Sequence, residues 1–187
     1  MAKISVIKFL SKKYLIHSAT LILTAIFVCA YILGSLNYKV AYNNVLVDRV
    51  VDGDTLKLNN GQRVRLLGLD TPEYHESDKL FRDSRRLKKD VKDIQAMGYD
   101  AYQYTRKLVE KKMVKLEFDV EKADKYGRLL AYVYLKDGTF VNAYLLRDGQ
   151  ASVCIIEPNV RYKKMFIGLE EQARAENLGI WAAGKLY

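Results

Sequence analysis

The chain has 187 residues, half of them hydrophobic and 28% charged, with two prolines and 11 glycines, which suits one domain with an appendage and excludes a long disordered chain. Its two cysteines, Cys29 and Cys154, fall in different parts of the chain and exclude a disulfide within the globular part. The formal net charge of +9 draws the chain toward polyanions such as nucleic acid, without requiring one.

Residues 14–36 carry no Lys, Arg, Asp or Glu, and Lys3, Lys8, Lys12 and Lys13 precede them. About 20 apolar residues of helix cross a bilayer core. The upstream lysines point the N-terminus to the cytoplasm and the rest outside. Residues 1–36 are therefore expected to form an N-terminal transmembrane helix that anchors the protein in the cell membrane. The alternative is secretion after signal cleavage near Val28-Cys29-Ala30. Without the four lysines, 27 basic and 22 acidic residues remain, a net +5.

Residues 37–44 read as a tether and 45–187 as the globular domain. Val45 to Val51 is expected to be a strand that ends in an Asp52-Gly53 turn. Thr55-Leu56-Lys57-Leu58 and Arg63-Val64-Arg65-Leu66 alternate polar and apolar residues about the turn signal Asn59-Asn60-Gly61. Val64 and Leu66 share one face there, and both arginines share the other.

From 78 to 95 the period changes to that of a helix, with Leu80, Leu87, Val91 and Ile94 on one face. Seven basic residues, Lys79 among them, accompany four aspartates. Gly98 is expected to end this helix, and Ala101, Tyr104 and Leu108 belong to the next. Val114 to Phe118 and Leu130 to Leu135 read as strands, and Phe140 to Arg147 as a helix stopped by Gly149. Arg161 to Glu176 reads as the last helix, stopped by Gly179. Five strands and three or four helices suit a small closed barrel with helices outside. Tyr132, Tyr134 and Tyr144 recur as packing residues do, His75 reads as a loop histidine, and Trp181 as a core plug.

Three polar clusters interrupt these elements: Asp52-Gly53-Asp54-Thr55, Arg65 through Asp70-Thr71-Pro72-Glu73, and Asp124-Lys125-Tyr126-Gly127-Arg128. Two carboxylates brought together, Asp54 and Asp70, repel unless a cation lies between them. With no His or Cys beside them the cation is hard, Ca²⁺ or Mg²⁺, and Ca²⁺ tolerates the irregular oxygen set better. Glu73, three residues past Asp70, has the chemistry to take a proton from an activated water. Arg65 and Arg128 carry planar forks that match the charge growing on an attacked phosphodiester.

In order and spacing, these clusters resemble the thermonuclease (staphylococcal-nuclease-like) family from about Val45 to Trp181, including the closing Asn177-Leu178-Gly179-Ile180-Trp181. The resemblance implies an OB-fold five-stranded barrel with three helices. It implies Asp54, Asp70 and the Thr71 carbonyl as Ca²⁺ ligands, Glu73 as general base and Arg65 with Arg128 as the phosphate-binding pair. Lys125 and Tyr126 would contact a neighbouring phosphate and nucleotide. The implied activity is a Ca²⁺-dependent endonuclease that cuts DNA and RNA with little sequence preference and leaves 3′-phosphate ends. We expect a monomer.

Two features depart from the family pattern. Cys154-Ile155-Ile156-Glu157-Pro158-Asn159 lacks the tyrosines that usually precede the Pro-Asn pair, and base stacking is worth roughly 1–3 kcal/mol per base. Residues 74–96 exceed the usual loop after Glu73. Two rival readings remain open: a catalytically inactive nucleic-acid-binding OB module, and a cell-surface interaction domain that uses the basic helix.

Overall fold

The computed structural model describes residues 20–34 and 42–182, apart from the side chains of residues 86 and 87. The chain divides into two compact units, Met1–Ala41 and Tyr42–Tyr187. In the first, residues 20–34 form helix α1, which leaves Leu21, Phe27 and Tyr31 exposed. Among the described residues no helix is long and apolar enough to cross a membrane. The remainder of the expected 14–36 span lies outside the described residues.

The second unit is built on strands β1 (Val45–Asp52), β2 (Thr55–Leu58) and β3 (Arg63–Leu66), each within a residue of its expected place. The short β4 (Leu69–Asp70) follows. Helices α2 (Asp78–Leu87) and α3 (Val91–Val109) come next, then β5 (Met113–Glu117), β6 (Leu129–Leu135), α4 (Val141–Arg147), β7 (Ser152–Val153) and α5 (Lys163–Ala175). A single 3₁₀ turn, Gly179–Trp181, ends the described part.

The five longer strands close a barrel in the order β1-β2-β3-β6-β5. Bulges in β1 between Val47 and Arg49 and between Val50 and Asp52 bend it, so that it pairs with β2 along one stretch and with β5 at its start. The alternation of β3 works as expected: Val64 and Leu66 are buried in the barrel, whereas Arg65 faces outward and is only partly covered. Leu56, Leu58, Val47, Val114 and Val133 fill the interior with them. Tyr132 is buried in a ring cluster with Phe140, Tyr162 and Phe166, which is the packing role expected of it.

The two-stranded β4–β7 sheet was not expected, because two residues carry no readable period. It joins Asp70 to Ser152 and so fixes the chain just before the Thr71-Pro72-Glu73 turn.

The expected single helix over 78–95 is instead two. Lys88 adopts a left-handed backbone (φ 51°) at the end of α2, and Asp90 starts α3 by accepting from Lys92 N at 3.0 Å. Gly98 does not end a helix; α3 runs through it. Its role is a close approach. A Cβ on Gly98 would lie 2.6 Å from the Glu73 carbonyl carbon and 2.7 Å from the Pro72 oxygen. Gly149 lies just past α4 as expected, but just past α5 the left-handed residue is Asn177 (φ 55°), and Gly179 opens the 3₁₀ turn instead of stopping the helix. The two glycines pack backbone to backbone, with Ile180 N donating to Gly149 O at 2.8 Å.

Among the described side chains of α2, Leu80 is the fully buried one. It enters a second core with Ile94, Met97, Ala173, Ile180 and Trp181. Trp181 is the plug expected of it.

Gly98→Ala separates the two views of that glycine. By helix propensity it should stabilise by about 1 kcal/mol. With main chain in the way it should destabilise by about 1–3 kcal/mol, and a thermal melt gives the sign.

Candidate active site

The Gly53-Asp54 hairpin turn between β1 and β2 points the Asp54 carboxylate inward, where only 1% of the residue is exposed. Gly53 is required there because the Thr71 side chain packs against it. A Cβ at position 53 would sit 2.6 Å from Thr71 Oγ1. Gly53 on one side and Gly98 of α3 on the other therefore clamp the 71–73 turn. Thr105 of α3 ties the frame together by donating to Gly53 O at 2.7 Å.

Asp54 is held from several directions. Arg65 donates to its Oδ1, Thr55 Oγ1 to the same oxygen at 3.1 Å, and Thr71 N and Oγ1 to Oδ2 at 3.2 and 3.3 Å. The other arm of the Arg65 fork reaches Asp70 Oδ1 at 2.6 Å. Asp54 and Asp70 are thus brought to one place, separated by a single guanidinium. Burial opposes the charge on Arg65, but Asp54 and Asp70 outweigh it and raise its pKa above the ordinary arginine value.

Asp52 also belongs to this group, although as a sequence it read only as part of a turn. Its Oδ1 accepts from Asp54 N at 3.1 Å. Burial first, then the charge of Asp54, pushes its carboxyl up to about 7. The signal was the i, i+2 spacing of two acids across one glycine.

Lys79, the second residue of α2, read in the sequence only as one of seven basic residues on an amphipathic helix. Its Nζ lies 3.0 Å from Asp70 Oδ2, 2.9 Å from Glu73 Oε1 and 3.1 Å from the Thr71 carbonyl oxygen. Burial opposes its charge, but Asp70 and Glu73 together raise its pKa.

The second wall comes from the 119–128 loop. Asp124 organises its turn by accepting from Tyr126 N at 2.9 Å, Arg128 N at 3.0 Å and Arg128 Nε at 2.7 Å. Gly127 supplies the positive φ of 76° that the turn needs. Asn159 pins this loop by bonding both the N–H and the carbonyl of Glu121, at 2.9 and 3.1 Å.

Between the walls lies a cleft of about 740 Å³ lined by Arg65, Asp70, Glu73, Lys79, Lys125 and Arg128. Asp54 sits directly behind Arg65. Tyr126 stands 73% exposed beside the cleft, with Lys125 Nζ 5.1 Å and the Arg128 guanidinium 5.7 Å from its ring centroid. Cys154 and Ile156 add apolar rather than aromatic surface to the wall.

Among the described residues no cluster of three His, Cys, Asp or Glu side chains forms a ready metal cage. The donors that converge are two aspartates, the Thr71 carbonyl and Glu73, all hard oxygens. An ammonium already sits against three of them and a guanidinium against two. This oxygen-only set, neutralised by the protein's own cations, fits a hard divalent ion.

Residues 63–183 match the family model described as Staphylococcal nuclease homologue. The SPbeta prophage-derived endonuclease YokF of Bacillus subtilis is 41% identical over 144 residues, 74% of this chain and 44% of that protein. Endonuclease YncB of Bacillus subtilis is also 41% identical over 144 residues, covering 74% and 62%. The thermonuclease of Staphylococcus intermedius is 37% identical over 139 residues, covering 73% and 74%. The match thus spans about half the length of the two Bacillus proteins.

Proposed function

The chain belongs to the staphylococcal nuclease homologue family, and from that premise we propose that it is a Ca²⁺-dependent endonuclease hydrolysing DNA and RNA to 3′-phosphate ends. The observation that carries this reading is the gathering of Arg65, Asp70, Glu73, Lys125 and Arg128 around one cleft, with Asp54 immediately behind. An inactive binding module would have no need for both acids and both arginines in one place.

In this reading Asp54, Asp70 and the Thr71 carbonyl hold the divalent ion. When bound, it supplies positive charge beside the scissile phosphate. Arg65 and Arg128 grip the non-bridging phosphate oxygens, where planar forks meet charge that grows on the way to the transition state. Glu73 accepts a proton from the attacking water as its oxygen bonds to phosphorus. The P–O5′ bond breaks, the departing 5′-oxygen takes a proton from solvent to become a hydroxyl, and the 3′-oxygen keeps the phosphate. Lys125 adds charge along the strand, and exposed Tyr126 offers a ring to a neighbouring nucleotide.

We also propose display outside the cytoplasmic membrane, on the strength of the uncharged 14–36 segment behind four lysines. Protease shaving of intact cells tests it.

Activity is tested by digesting single- and double-stranded DNA and RNA with Ca²⁺ or with a chelator, followed by end-group analysis. Cleavage to 3′-phosphates that the chelator abolishes is expected. Binding without cleavage under all conditions would favour the inactive module instead.

A further inference from the structure

We propose that Lys79 is a tethered counter-cation of the active site, which a divalent ion must displace to reach the Asp70, Thr71 and Glu73 oxygens. The proposal rests on reading those oxygens as facing the ion. An ammonium has three donors, and here each meets an oxygen from a different residue, at 2.9 to 3.1 Å. A divalent ion held by the same three oxygens would sit where the ammonium now sits, and like charges that close repel strongly in a partly buried site. Occupancy by Lys79 and by a divalent ion is therefore exclusive.

Lys79 sits in the 74–96 segment, so the tether is a feature of the extended loop. The local structure both aims it and lets it go. Ser77 Oγ caps α2 by accepting from Leu80 N at 3.2 Å, and Leu80 is fully buried in the second core. Those two attachments do not involve the ammonium. When an ion takes the oxygens, α2 stays docked through Leu80 while the Lys79 side chain swings to solvent.

The same contact engages Glu73 Oε1, an oxygen of the group proposed to receive the water proton. Displacement therefore opens the cation seat and releases the base in one event. The tether raises the divalent concentration at which the site becomes competent.

The test is calorimetric titration of Ca²⁺ into the wild-type chain, Lys79→Met and Lys79→Arg, without nucleic acid. Lys79→Met should bind at least tenfold tighter than wild type, and Lys79→Arg, which keeps the charge, within about threefold of wild type. Equal or weaker binding by Lys79→Met, or no binding by any of the three, overturns the proposal. Amine-reactive labelling of the wild type decides the matter should a variant fail to fold. Labelling at Lys79 should quicken as Ca²⁺ is added, and unchanged or slower labelling also overturns the proposal. DNA cleavage at saturating Ca²⁺ is measured alongside. Cleavage with unchanged affinity in Lys79→Met sinks the tether alone, whereas tighter binding without cleavage keeps the tether and sinks the nuclease reading.

Discussion

Arg65→Ala is expected to slow cleavage by about 10²–10³ and to destabilise the fold by about 3 kcal/mol. The two losses have separate causes. The rate falls because one of two guanidinium forks facing the phosphate is gone. Stability falls because Asp54, only 1% exposed, keeps three neutral hydrogen-bond donors but loses its counter-charge. Removing one partner of a buried pair typically costs about 3–5 kcal/mol; the lower end applies because the Arg65 side chain is 21% exposed. Added Ca²⁺ should recover stability but not rate, since the ion restores charge between Asp54 and Asp70 without replacing the phosphate grip. Urea melts with and without Ca²⁺, together with single-turnover cleavage, check both. A stable variant with normal turnover would remove Arg65 from both roles.

Glu73→Gln should lower the rate by about 10²–10⁴ with stability nearly unchanged. The amide keeps the shape, and its oxygen still accepts from Lys79, but it cannot take a proton. The contrast with Gly98→Ala is informative. That change leaves the carboxylate intact and pushes on its main chain, and a misplacement of about 1 Å can itself cost about 10²-fold. A rate loss in Glu73→Gln with the melting curve unmoved assigns the effect to proton transfer. A fall in stability of the size expected for Arg65→Ala would make Glu73 a structural residue instead.

The barrel was legible because a period of two survives in four-residue strands. Arg63-Val64-Arg65-Leu66 announced both its buried face and its outward one. The acids of the site were legible because they occupy turns, where Asp-Gly and Asp-Thr-Pro stand out from alternating strands. What escaped was non-local. Gly98 looks like a helix stop in a linear reading; its cause is the Pro72–Glu73 main chain lying against α3. Lys79 was one base among seven on an amphipathic helix. Only the fold shows that α2, anchored at Leu80, turns this one toward Asp70. Asp52 was absorbed into turn chemistry because its neighbour Asp54 carried the signal, and its burial arises from β1 curling at a bulge. The β4–β7 pair was too short for any periodicity to register.

The most direct measurement is anomalous diffraction from a crystal grown with Ca²⁺. A single peak is predicted about 2.3–2.6 Å from oxygens of Asp54, Asp70 and the Thr71 carbonyl, with Lys79 withdrawn from all three of its present partners. A Ca²⁺-loaded crystal with its ions elsewhere, and with Arg65 and Lys79 still seated among these oxygens, would contradict the shared-ion site.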